Sequence, residues 1–147
     1  MTEYAQRTAH TDEALSALDR LVGTWKVSGG AEGTVAFRWM EGSFFLIQDV
    51  RLHQDGHDIV GMEVIGRERP FGAERPGEDL RSRFYDNQGN TFDYVYELRD
   101  RTLTIWAGEK GSPAFYRGEF SADGDSVTGA WSYLGGGGYD SSMIRVA

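Results

Sequence analysis

The chain contains no cysteine, so no disulfide, thiolate nucleophile or zinc–thiolate cluster can be built from it. That absence leaves the redox compartment open. Proline is scarce, at 3 residues in 147, which leaves long stretches free to pair as strands. No apolar run reaches membrane-spanning length, and the polar residues 1–10 lack the hydrophobic stretch of a secretory leader. We therefore expect a cytoplasmic chain with no membrane partner. Histidine is limited to His10, His53 and His57. The last two flank Asp55-Gly56 without a clear third ligand, so no metal site is expected. Basic residues are outnumbered, 15 Lys and Arg against 23 Asp and Glu, for a formal charge of −8. Such a chain repels a phosphate backbone and stays in solution, which argues against nucleic acid as a partner. No serine sits in a nucleophile-elbow motif. The run Gly135-Gly136-Gly137-Gly138 lacks the Lys-Ser/Thr of a phosphate loop, and no dinucleotide fingerprint is present, so no cofactor is expected.

What the chain does have is glycine and aromatic residues: 20 Gly, 8 Phe, 7 Tyr and 4 Trp. Aromatic side chains favour strands, and glycines mark turns and tight barrel corners. The length suits one domain, 1–147, with 1–10 a flexible tail. Thr11 or Asp12 can cap a helix over 11–22, and Leu15, Leu18 and Val22 give it one apolar stripe. After Gly23 every segment reads as a short strand, at 24–28, 33–40, 43–53, 57–67, 80–86, 90–98, 101–107, 114–121, 126–134 and 139–146. Tight turns at Glu41-Gly42, Asp55-Gly56, Asn87-Gln88-Gly89, Arg99-Asp100 and Asp123-Gly124 join antiparallel neighbours. The expected fold is all-β: a single antiparallel up-and-down barrel of about ten strands, closed at one end by the short N-terminal helix. Trp25, at the start of the first strand, is expected to plug that end, with Gly23 letting the helix approach. The long loop 68–79 and the glycine run at 135–138 break the pattern of tight turns.

Turn lengths set the register, and the register sets which residues face inward. A two-residue turn at Asp55-Gly56 opposes Leu52 to Ile59, Val50 to Gly61, Gln48 to Glu63 and Leu46 to Ile65. A two-residue turn at Glu41-Gly42 opposes Trp39 to Phe44, Phe37 to Leu46 and Val35 to Gln48. One at Arg99-Asp100 opposes Tyr96 to Leu103, Tyr94 to Ile105 and Phe92 to Ala107. One at Asp123-Gly124 opposes Phe120 to Val127, Gly118 to Gly129 and Tyr116 to Trp131. These faces are overwhelmingly apolar, whereas the opposite faces carry Arg38, Asp49, Arg51, His53, Asp58, Arg117 and Glu119. At Asn87-Gln88-Gly89 a three-residue turn points Phe84 inward and sets Arg83 against Asp93 outside. A two-residue turn would instead send Arg81 and Arg83 into the interior and build a carboxylate pocket.

The inward face then has one polar spot, Gln48 beside Glu63. Burial raises the pKa of such a carboxyl, making Glu63 a candidate acid/base catalyst or ligand anchor. The same two residues also serve as a self-satisfying structural pair. Trp39, Phe44, Tyr94, Tyr96, Tyr116, Trp131 and Tyr133 join Gln48 and Glu63 as candidate ligand-binding residues, their rings combining apolar area with polar tips. Those rings equally suit a barrel packed solid.

The segment Leu21-Val22-Gly23-Thr24-Trp25-Lys26-Val27 resembles the Gly-x-Trp opening of the calycin superfamily, the lipocalins and fatty-acid-binding proteins. Trp39-Met40-Glu41-Gly42-Ser43-Phe44-Phe45-Leu46, followed by Ile65-Gly66, is similar to a Trp-Met-x-Gly-Gly-Phe-Leu pattern of small bacterial calycin-like proteins, with Ser43 replacing the second glycine. The resemblance implies a lipocalin-like barrel with an internal cavity. It does not extend to two helices after the first strand, nor to the carboxylate-binding Arg/Tyr set, of fatty-acid-binding proteins. Nitrobindin-like haem barrels carry a proximal histidine late in the chain; here none follows His57. The leading expectation is binding of a small hydrophobic metabolite, lipid-like or polyketide-like. The alternatives are a cofactor-free isomerase, cyclase or hydratase pairing Glu63 with Tyr94 or Tyr116, and a structural barrel without ligand. A homodimer is compatible with all three.

Overall fold

The computed structural model describes residues 12–147. The proposed tail, His10 and the Thr11 cap fall outside them. Ten antiparallel strands form the barrel: β1 (Gly23–Gly29), β2 (Glu32–Trp39), β3 (Phe45–Gln54), β4 (His57–Gly66), β5 (Leu80–Asp86), β6 (Thr91–Arg99), β7 (Thr102–Ala107), β8 (Phe115–Phe120), β9 (Ser126–Ser132) and β10 (Gly138–Arg145). Each pairs with its neighbours in sequence, and β1 pairs with β10 to close the ring. Closure satisfies every strand edge internally. No helix among the described residues is long and apolar enough to cross a membrane.

Ahead of β1 lies α1 (Glu13–Ser16), one turn capped by the Asp12 carboxylate on the Leu15 amide at 3.1 Å. It does not continue as an α-helix to residue 22. Ala17–Leu21 tightens into a 3₁₀ helix. The tightening follows from apolar spacing: Leu15, Leu18 and Leu21 recur every third residue, and a helix of three residues per turn aligns them. All three are buried, whereas Val22 is only partly so. This plug meets Trp25, fully buried on β1, whose indole N–H donates to the Leu21 carbonyl at 2.8 Å. Phe120 packs edge-on against the Trp25 ring at 6.4 Å between centroids. Gly23 serves a different purpose from the expected one. A Cβ there would lie 2.8 Å from both the Ala147 carbonyl and the Arg145 guanidinium, so it admits the end of the chain rather than the helix.

Three turns have the expected length. Asp55-Gly56, Asp123-Gly124 and the Asn87-Gln88-Gly89 turn reproduce the expected partners, including Gln48 with Glu63, Tyr116 with Trp131 and Arg83 with Asp93. Arg81 and Arg83 are therefore outside, on Glu109 and Asp93. The other two turns shift the strand register by two residues, the first because it is longer and the second because it lies one residue further along. The β2–β3 connection spans 40–44, so Trp39 opposes Leu46, Phe37 opposes Gln48 and Val35 opposes Val50. Ser43 takes the left-handed conformation (φ 61°), and the Met40 amide bonds the Phe45 carbonyl at 2.9 Å. The β6–β7 turn is Asp100-Arg101, with Asp100 left-handed (φ 55°), so Leu98 opposes Leu103, Tyr96 opposes Ile105 and Tyr94 opposes Ala107. A shift of two leaves every side chain on its expected face.

The long β4–β5 loop is tied to the plug. Arg67, just after β4, holds Asp12 through two bonds, Nε to Oδ2 at 2.6 Å and Nη2 to Oδ1 at 3.0 Å. Its remaining nitrogen reaches the Glu78 carbonyl across the loop. The pair is mostly buried, with side chains 20% and 17% exposed. Hydrogen bonding from Arg67 holds the Asp12 carboxyl below its ordinary pKa. Its stabilisation is present above the ordinary carboxylate range and is lost as pH falls through the lowered value. Arg67→Ala should cost about 2–3 kcal/mol at neutral pH, the scale of charged hydrogen bonds left unpaired. Urea denaturation at pH 7 and pH 3 checks this. The gap between the proteins should narrow at the lower pH, and a loss under roughly 0.5 kcal/mol would mark a surface pair of no consequence.

Candidate functional site

Inward side chains at the helical end interlock, but the remainder of the barrel is hollow. A cavity of about 250 Å³ runs along the interior. Inward glycines help to hollow it. Gly118 and Gly129 oppose each other, and a Cβ on either would come within 2.7 Å of the Tyr116 hydroxyl, so Tyr116 lies across the space they vacate. Gly61 does the same for Phe84, whose ring a Cβ would meet at 2.7 Å. Aromatic rings then form one wall: Tyr94 and Tyr116 flank Trp131 at 5.8 Å and 5.5 Å between centroids. The far end opens into a vestibule of about 450 Å³ at the mouth, bounded by Asp55, Asp86, Tyr133 and Tyr139. Gln54, Ile59, Tyr94 and Trp131 line both spaces, so the two are contiguous.

Glu63 is the ionisable centre of this interior. It points inward from β4, lines the cavity and is 2% exposed. Three neutral groups donate to it: Gln48 Nε2 to Oε1 at 2.5 Å, Tyr96 OH to Oε1 at 2.7 Å and Ser82 Oγ to Oε2 at 2.6 Å. Gln48 comes from β3, directly opposite Glu63; Ser82 comes from β5, two residues from Glu63's partner Phe84; and Tyr96 comes from β6, one strand further on. Desolvation raises the Glu63 pKa, and the three hydrogen bonds only partly offset it. Burial likewise pushes the Tyr96 phenol well above its usual value, with Glu63 adding to the shift. Tyr116, also desolvated, is pushed up to about 12. These phenols are therefore neutral donors at neutral pH.

The candidate residues separate into three groups. Gln48, Glu63, Tyr94, Tyr96, Tyr116 and Trp131 meet around the cavity. Tyr133 lies at the mouth, 46% exposed, where it packs against Tyr139. Trp39 and Phe44 are elsewhere. Trp39 has inward parity but stands at the plugged end, donating its indole N–H to Asp19 Oδ1 at 2.8 Å. Phe44 is in the β2–β3 connection, because the longer turn removes it from the strand. Both therefore belong to the closed end and not to the cavity wall. Ser82 is the residue that the sequence reading passes over. Its signal was present: it precedes inward Phe84 by two positions on one strand. His53 bonds Asp58 at 2.8 Å on the exterior, and no cluster of three metal-ligating side chains occurs among the described residues.

Comparison with known proteins gives little beyond this geometry. No protein-family model matches the chain, and no curated protein matches it. Among solved structures it is similar to a de novo designed fluorescence-activating β-barrel, at 15% identity and a TM-score of 0.48, covering 88% of this chain and 97% of that one.

Proposed function

We propose that this protein binds a small, largely hydrophobic molecule inside its barrel, as a cytoplasmic, calycin-like carrier. The observation that carries the reading is the roughly 250 Å³ interior with a polar anchor at Glu63 and aromatic walls. A 150 Å³ apolar cavity suffices for benzene, so this one suits a ligand of about two rings or a short branched chain. A larger ligand would extend into the mouth. The neutral probe N-phenyl-1-naphthylamine should brighten on entering the cavity with one-to-one stoichiometry. Val50→Trp places an indole in the interior opposite Gly61 and should weaken uptake at least about tenfold while the fold is retained. Equal brightening in that variant would put the probe outside the barrel and end the proposal.

One observation favours a second reading. A buried carboxyl with raised pKa and a phenol at 2.7 Å is suited to proton transfer, as an isomerase, cyclase or hydratase would need. Under that reading Glu63→Gln abolishes turnover while probe uptake persists.

A further inference from the structure

The cavity carries acid and no base. Among its described lining residues are Glu63 and Asp86, with no lysine, arginine or histidine. The vestibule adds Asp55, and its one basic group is His57 at the outer rim. Asp86 keeps its charge while locking its own turn, accepting from the Gln88 and Asn90 amides at 2.9 and 3.0 Å. The basic residues of the neighbouring strands face away: Arg81 and Arg83 bond Glu109 and Asp93 on the outer surface. The chain as a whole carries −8, so the potential at an acid-lined opening attracts cations and repels carboxylates.

Glu63 has hydrogen bonds but no counter-charge. Oε1 accepts two donors and Oε2 one, all of them neutral, and a carboxylate offers about four lone-pair positions. Oε2 therefore keeps one position without a protein donor, on a side chain that lines the cavity. A carboxyl buried this deeply either keeps its proton or takes an opposite charge, and no described residue supplies that charge, so a bound cation would be its counter-ion. Tyr94, Tyr116 and Trp131 line the same cavity, clustered rings whose faces attract cations. Buried acid, aromatic wall and acidic mouth all select the same ligand charge.

We propose that the ligand is a lipophilic organic cation, an amine or quaternary ammonium whose charged nitrogen lies between Glu63 and the Tyr94–Trp131–Tyr116 wall. This deepens the small-molecule reading and rests on it. The proposal excludes fatty acids as ligands, since their carboxylate would enter an acidic mouth and find no base.

Three probes of similar size separate the possibilities: phenyltrimethylammonium, its uncharged counterpart tert-butylbenzene, and 4-tert-butylbenzoate. Their binding can be followed through tryptophan fluorescence, Trp131 lying on the wall, and by ligand-observed NMR. The cation should bind at least about tenfold more tightly than the neutral compound, with the anion weakest. In Glu63→Gln the cation's advantage should collapse, while tert-butylbenzene binds as before, which shows that the cavity is intact. If the neutral compound equals or exceeds the cation in the native protein, the cation assignment falls and the small-molecule reading stands. If none of the three binds, both fall.

Discussion

Trp25→Ala is expected to lower stability by about 3–5 kcal/mol, the range for deleting a large aromatic side chain from a core. Trp25 is fully buried where the strands converge and does three jobs there. Its ring fills the base of the barrel against Phe120. Its N–H satisfies the Leu21 carbonyl, which the truncation would leave buried without a donor. Its face carries the Arg145 guanidinium at 4.2 Å. Arg145 in turn bonds the carbonyls of Val22, Arg20 and Gly124 and the Asp125 carboxylate, so the indole supports the clasp between the plug and the last strand. Domains are stable by only about 5–15 kcal/mol, so the loss is a large fraction of the whole. Thermal unfolding should shift down by roughly 6–20 °C. Trp25→Phe, which keeps one aromatic ring but loses the donor and some buried volume, should cost about 1–3 kcal/mol. A Trp25→Ala protein within about 1 kcal/mol of the parent would show that the plug closes the barrel without it.

Glu63→Gln is expected to make the protein more stable at neutral pH and to flatten its response to pH. The amide can reproduce the network: its oxygen accepts from Gln48 and Tyr96, and its NH₂ donates to the Ser82 oxygen. The sign follows from burial. Glu63 titrates higher in the folded barrel than in the open chain, so between those two pKa values the folded state holds a proton that the unfolded state has released. Stability contributed by this carboxyl is therefore complete below its ordinary value of 4.5 and falls as pH rises toward the folded value. The slope approaches about 1.4 kcal/mol per pH unit while that proton is held. Urea midpoints of parent and variant, taken from pH 4.5 upward, should separate steadily and then run parallel above the folded pKa. Other titrating groups are common to both proteins and cancel in the difference. Parallel curves throughout the range would refute the idea that this site is desolvated.

Much of the interior was legible from alternation. Asp55-Gly56 and Asp123-Gly124 set their hairpins directly, and Gln48 met Glu63 across the first of them. The two turns that differ from expectation, 40–44 and Asp100-Arg101, did little harm because each shifts the register by an even number of residues. Height along the barrel axis was harder to read. Trp39 and Trp131 share inward parity, yet one braces the plug through Asp19 and the other lines the cavity. A period of two specifies the face and says nothing about distance from the plug; that depends on the stagger of all ten strands, which turn residues encode only jointly. Phe44 was lost to the same effect at closer range, since a longer turn consumed it. The helix shows the converse. Its leucines recur every third residue, and that spacing, given more weight than the four-residue alternative, would have indicated the tighter coil seen at Ala17–Leu21.

The meander also separates the tempo of assembly into two regimes. Nine of the ten strand pairings join neighbours along the chain, and each can zip from its own turn. The tenth brings Trp25 to Arg145 and Gly29 to Ser141, across nearly the full length of the polypeptide. That contact carries by far the largest loop-closure entropy, and its reward comes only after the other strands have curled into position. Until then the first and last strands present bare amides and carbonyls, so the ring that is free of edges when complete is, up to that last step, a curved sheet with two. Refolding at high protein concentration should therefore divide between joining its own ends and joining a neighbour's.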